Sequence, residues 1–168
     1  ISASGSNISS VKLLWQTKDN TTTPTTNCPN NTSGLFTVTS SWTCGYGVLR
    51  IDLLPTNGTF DYAGLQNRTM TTFLVPQRPG SAGSTNTTGY AAGGSNNRIG
   101  VNCSNSDCNL TITGLSTNQY YVRISSVYKE VSLQLNAYDS TGASLAMQGA
   151  QAVIDATGKA QDVLRRIQ

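Results

Sequence analysis

Short stretches of alternating side chains, each closed by turn residues, constrain this chain more than any other feature. In Val11-Lys12-Leu13-Leu14-Trp15-Gln16-Thr17, Val11, Leu13 and Trp15 alternate with Lys12, Leu14 and Gln16. A period of two marks a strand with one buried face. Leu35 to Trp42 reads the same way, with Phe36, Val38 and Trp42 on one face. In Val48 to Leu54, Leu49, Ile51 and Leu53 alternate with Arg50 and Asp52, and Pro55-Thr56-Asn57-Gly58 supplies the turn. Met70 to Val75 is closed by Pro76; Ile99 to Val101 is short; Cys108 to Thr113 turns Leu110 and Ile112 inward. Tyr120, Val122 and Ile124 share a face in Tyr120 to Val127, and Val131, Leu133, Leu135 and Ala137 mark the next strand, before a turn at Asp139 to Gly142.

Asp61 to Asn67 reads as a short helical turn. Residues 150–156 and 162–167 read as a final hairpin around Thr157-Gly158-Lys159-Ala160, with a helix as the alternative for the last piece. Residues 1–10 are small and polar and are expected to be a linker or frayed end. Residues 19–33 and 77–97 read as long polar surface loops. The sum is about eight to ten short strands without helical periodicity, which predicts an all-β, antiparallel β-sandwich over residues 11–168.

Composition narrows the function. Of 168 residues, 11% are charged and 37% hydrophobic, and the net charge of +3 is too small to indicate disorder or nucleic acid. The absence of histidine excludes imidazole bases and histidine-ligated metals. Cys28, Cys44, Cys103 and Cys108 form no C-x-x-C pair. In a polar, charge-poor chain they predict two disulfides and an extracytoplasmic setting, with Cys28–Cys44 and Cys103–Cys108 as one of three pairings. No stretch reaches the ~18 apolar residues of a membrane-spanning helix.

Two resemblances add to this. Ser10 to Trp15, with Thr111-Ile112-Thr113-Gly114-Leu115 through Tyr120-Tyr121-Val122-Arg123-Ile124, resembles fibronectin type III and immunoglobulin-like modules. That resemblance implies a core tryptophan at Trp15 and a tyrosine corner at Tyr120 or Tyr121, the alternation favouring Tyr120. Gln119 to Tyr128 and Gly149 to Gln168, with Val48 to Thr56, resemble the end of PilX-type type IV pilin-like proteins of candidate-phyla bacteria. This second resemblance implies the globular head of a pilin-like subunit at the bacterial cell surface, its N-terminal prepilin helix removed. Its expected partners are other pilin subunits and the membrane, both through that helix, and a host-cell surface or glycan. No cofactor or catalytic residue is implied.

Tyr46, Tyr62 and Tyr90 lie on or beside loops and are candidate surface contacts, as are Arg165 and Arg166, which form a basic cluster with Lys159 and Arg123. Asp52, Asp61, Asp107 and Asp155 are scattered and predict no facing carboxylate pair. Nine Asn-x-Ser/Thr sequons are read as polar surface. A Lys12–Asn136 crosslink would require a buried acid beside it, and Glu130 is not obviously placed for that, so Lys12 and Asn136 are read as solvent-facing side chains. The expected function is therefore non-enzymatic: a filament-subunit head, or else a secreted fibronectin-like adhesin or carbohydrate-binding module.

Overall fold

The structure, a computed structural model, describes residues 1–3, 5–19, 21–22, 24–30, 42–93 and 98–148. The expected strands at Leu35 to Trp42 and 150–167 lie outside these residues, apart from Trp42. Among the described residues the chain is mostly strand with one short α-helix.

The strands are β1 (Ser2–Ala3), β2 (Ser10–Thr17), β3 (Val48–Pro55), β4 (Met70–Gln77), β5 (Ser84–Thr85), β6 (Thr87–Gly89), β7 (Arg98–Asn102), β8 (Cys108–Thr113), β9 (Tyr120–Val127), β10 (Val131–Tyr138), β11 (Ser144–Leu145) and β12 (Met147–Gln148). They form a first sheet in the order β11-β10-β2-β8-β6, a second in the order β5-β7-β4-β3-β9, and a small β1-β12 pair. One apolar cluster joins the sheets. Leu13, Trp15, Leu110 and Ile112 come from the first, and Leu49, Ile51, Leu53, Met70, Leu74 and Val101 from the second. Trp15 is fully buried and its indole N–H donates to the Gly47 carbonyl at 3.1 Å, tying β2 to the approach of β3.

The expectation of purely antiparallel sheets requires correction. β4 and β5 each pair parallel with β7, and β6 pairs parallel with β8. Parallel neighbours need a crossover of a dozen or more residues, and residues 78–97 provide it between β4 and β7. That segment is more than a surface loop, because β5 and β6 lie within it and extend the two different sheets. Asn86 sits between them. Its side-chain amide donates to the Asn109 carbonyl at 2.8 Å and the Asn102 carbonyl at 3.1 Å, holding β7 to β8.

Residues 1–10 are also corrected. The Ile1 amine donates to the Tyr120 carbonyl at 2.7 Å, and the Tyr120 amide donates back to Ile1 at 2.9 Å. β1 pairs with β12, Ala3 is buried and Ile8 is fully buried. Isolated apolar residues in a Ser/Gly run have no periodicity to reveal them, yet their burial fixes the segment.

The helix α1 (Tyr62–Arg68) matches the expected turn. Asp61 caps it, its carboxylate accepting from the Gly64 amide at 2.6 Å. Arg68, in the last turn, donates to the carbonyls of Gly64 and Pro55 at 3.1 and 2.9 Å, and to that of Thr59. It clamps the β3–α1 connection.

Tyr120, not Tyr121, forms the corner. Its ring is buried, and its hydroxyl accepts from the Ser116 and Thr117 amides at 2.9 and 3.3 Å. Tyr120→Phe leaves both amides without that acceptor. We expect a loss of about 1–3 kcal/mol in urea unfolding; an unchanged midpoint would mean that water replaces the hydroxyl at no cost.

Candidate functional site

The cysteines pair as Cys28–Cys44 and Cys103–Cys108. The second bond closes the β7–β8 turn, where the chain passes from one sheet to the other. Tyr46 joins the two disulfide regions, donating its hydroxyl to the Ser104 carbonyl at 3.0 Å, while its own carbonyl accepts from the Trp42 indole at 2.7 Å. Burial, with the Asp107 carboxylate nearby, raises the Tyr46 phenol above its ordinary pKa. Tyr46 is fully buried and is therefore structural, not a surface contact.

Tyr90 is half-buried and also works within the fold. Its hydroxyl donates to the Arg68 carbonyl and its amide to the Thr113 carbonyl. Tyr62, at the start of α1, is 82% exposed and remains available. Arg165, Arg166 and Lys159 lie outside the described residues, so of the expected basic cluster only Arg123 is placed, on the outward face of β9.

The exposed aromatics include others with no expected role at the surface. Phe60 is 64% and Tyr121 60% exposed; Tyr128 is exposed and stacks on Trp42, with ring centroids 5.3 Å apart. A signal existed for Tyr121: if alternation sends Tyr120 inward, Tyr121 must point out. Phe60, two residues past the Asn57-Gly58 turn, carried none.

Most of the described carboxylates have local duties. Asp61 is the helix cap; Asp52 accepts from the Thr71 hydroxyl at 2.8 Å and pairs with Arg50 at 3.2 Å; Asp107 accepts from the Ser104 hydroxyl at 3.3 Å. Asp139 accepts from the Thr141 hydroxyl and from the Thr141 and Ala143 amides. The Thr141 hydroxyl bond, then the Ala143 amide, lower its pKa. Among the described residues no three His, Cys, Asp or Glu side chains group to hold a metal, and no helix is long and apolar enough to cross a membrane.

The Lys12–Asn136 crosslink lacks its acid among the described residues. Lys12 and Asn136 are direct cross-strand neighbours on β2 and β10. Glu130, however, is exposed and bonds Lys18 at 2.6 Å, so it is not a buried catalyst beside them. The Lys18 hydrogen bond, then its charge, lower the Glu130 pKa. Three sequon asparagines also depart from plain surface polarity: Asn86 bonds Asn102 and Asn109, and Asn102 accepts from Ser84.

Compared with known proteins, the chain matches no family model, no curated protein and no solved structure.

Proposed function

We propose that this chain is a non-enzymatic, extracytoplasmic head domain whose work is adhesion, carried by a type IV pilin-like filament subunit. The observation that carries the adhesive reading is the set of exposed rings, Phe60, Tyr62 and Tyr121, on a β-framework stapled by two disulfides. Large exposed aromatics on a rigid support are what binding surfaces use. The disulfides favour an oxidising compartment. The filament assignment rests on the resemblance of residues 43–168 to pilin-like proteins.

A second reading is a secreted fibronectin-like or carbohydrate-binding module. The buried Trp15, the Tyr120 corner and the pairings β2–β8 and β3–β9 support it, since immunoglobulin-type sandwiches place the corresponding strands side by side. β10 departs from that plan. It pairs with β2, where those modules keep their last strand beside the corner strand.

One experiment separates the two. The native producer is sheared, and filament and soluble fractions are blotted for this chain. The filament reading expects it in the filament fraction; recovery only as soluble monomer transfers the assignment to the second reading. In parallel, Phe60→Ala/Tyr62→Ala is expected to weaken binding to target cells roughly tenfold or more with unfolding unchanged. Full retention would remove these rings from the adhesive surface.

A further inference from the structure

The outward face of the second sheet has an unusual distribution of burial and charge. Leu49, Ile51 and Leu53 of β3, Leu74 of β4, Ile99 of β7 and Ile124 of β9 point into the core. Their chain neighbours therefore point out. At one end of that outer face Val75, Gln77 and Gly100 are buried, and at the other Leu54 is buried. Between these covered ends lie two open rows. One runs Arg98–Phe73–Arg50–Ser125 across β7, β4, β3 and β9, and the next runs Thr71–Asp52–Arg123 across β4, β3 and β9. Tyr121 follows Arg123 on β9, opposite Leu54.

Among the described residues, the guanidiniums of Arg50, Arg98 and Arg123 thus share one strip with the Asp52 carboxylate. Asp52 is mostly covered and already engaged by Arg50 and the Thr71 hydroxyl, so it orients Arg50 more than it repels a visiting anion. Arg123 is exposed and diagonal to Arg50 in the register, which places their Cα atoms about 7–8 Å apart. Phe73 forms part of the floor and Tyr121 stands at one side with its ring in solvent.

We propose that this strip binds an acidic glycan. Arg50 and Arg123 hold its carboxylate or sulfate groups, for which planar guanidiniums provide paired donors. Tyr121 and Phe73 receive the apolar faces of its sugar rings, and the Thr71 and Ser125 hydroxyls suit sugar hydroxyls. A single-stranded nucleic acid offers anionic groups too, and the titration below separates it from a glycan. The disulfides favour an oxidising, extracytoplasmic compartment, in which surface polysaccharides are found. The inference rests on the adhesive reading and gives it a ligand class and a surface.

The test is calorimetric titration of the full chain with two defined probes, a galacturonate oligosaccharide and a heparin-derived sulfated oligosaccharide. We expect binding to at least one and none to neutral dextran. Each lost guanidinium contact should weaken binding roughly tenfold or more, so Arg50→Gln/Arg123→Gln should lose about a hundredfold. Tyr121→Ala should lose about tenfold, as stacking on an aromatic ring predicts. Lys12→Gln, which removes the same charge from the other sheet, should stay within about twofold, because separated surface charges are screened. Arg123→Gln alone breaks no ion pair or hydrogen bond within the described residues and keeps the test valid if the double variant fails to fold. Equal losses for Lys12→Gln and Arg123→Gln would overturn the proposal, as would no binding to either probe. Tighter binding of a single-stranded DNA oligonucleotide through the same arginines would overturn it too. Cell adhesion that persists without acidic-glycan binding would sink this proposal and leave the adhesive reading standing.

Discussion

Replacing Cys28 and Cys44 together by serine is expected to lower stability by about 3 kcal/mol, and replacing Cys103 and Cys108 by only about 2 kcal/mol. The difference follows from the closed loops, 16 against 5 residues in sequence separation. Cross-linking removes disorder from the unfolded chain, and a longer loop has more to lose. Burial adds to both costs, since all four cysteines are buried and serine would leave hydroxyls in apolar surroundings. Urea unfolding of the two double variants beside the native chain checks this, with a repeat in dithiothreitol. Reductant should abolish most of the difference between native and variant proteins. If the short loop proves the larger contributor, native-state contacts at the β7–β8 turn outweigh chain entropy. If neither pair matters, the disulfide argument for an extracytoplasmic setting loses its force.

How much of this was legible beforehand divides along a physical line. Period-two alternation located β2, β3, β8, β9 and β10, because one buried face imposes its pattern on every second residue, and Pro76 marked the end of β4. Asp61 announced the helix start, and alternation with Val122 and Ile124 chose Tyr120 over its neighbour. Pairing was not legible. Nothing local says that Phe73 lies opposite Arg98 in parallel, or that Thr87-Thr88-Gly89 adds a strand to the first sheet. Those contacts join distant residues, and the strands are short and polar. Alternation also overstated burial on β10. Leu133 lies opposite Trp15 but is 39% exposed, so a shared face does not ensure an equal share of the core.

The site shows the same division. Tyr46 looked like a loop aromatic, yet its position between the disulfides makes it a buried brace. The arginines on β3, β7 and β9, Arg50, Arg98 and Arg123, are far apart in sequence and read singly as ordinary outward charges. Only the register brings them onto one strip, and only the burial at its two ends distinguishes that strip from an open sheet face. A surface of this kind comes from topology. Composition, with its net charge of +3, conceals it.

Trp15→Ala is expected to cost about 3–5 kcal/mol, the range for emptying a buried aromatic site. That is a large part of the ~5–15 kcal/mol available to a domain. The side chain is fully buried in the cluster shared by both sheets, so the void would open at their junction. Trp15→Phe separates two causes. It keeps most of the ring volume but removes the donor to the Gly47 carbonyl. About 1–3 kcal/mol is expected if that carbonyl is left unpaired. Gly47 cannot easily yield space in return, because a side chain there would collide with Ser126, Lys129 and Val131. The exposed Tyr121→Ala should stay within about 0.5 kcal/mol of the native chain. Urea unfolding followed by near-ultraviolet circular dichroism reads all three variants. The order Ala at 15, Phe at 15, Ala at 121 is required. If Trp15→Ala unfolds no more easily than Tyr121→Ala, Trp15 does not join the two sheets, and the rigid support proposed for the binding face is lost with it.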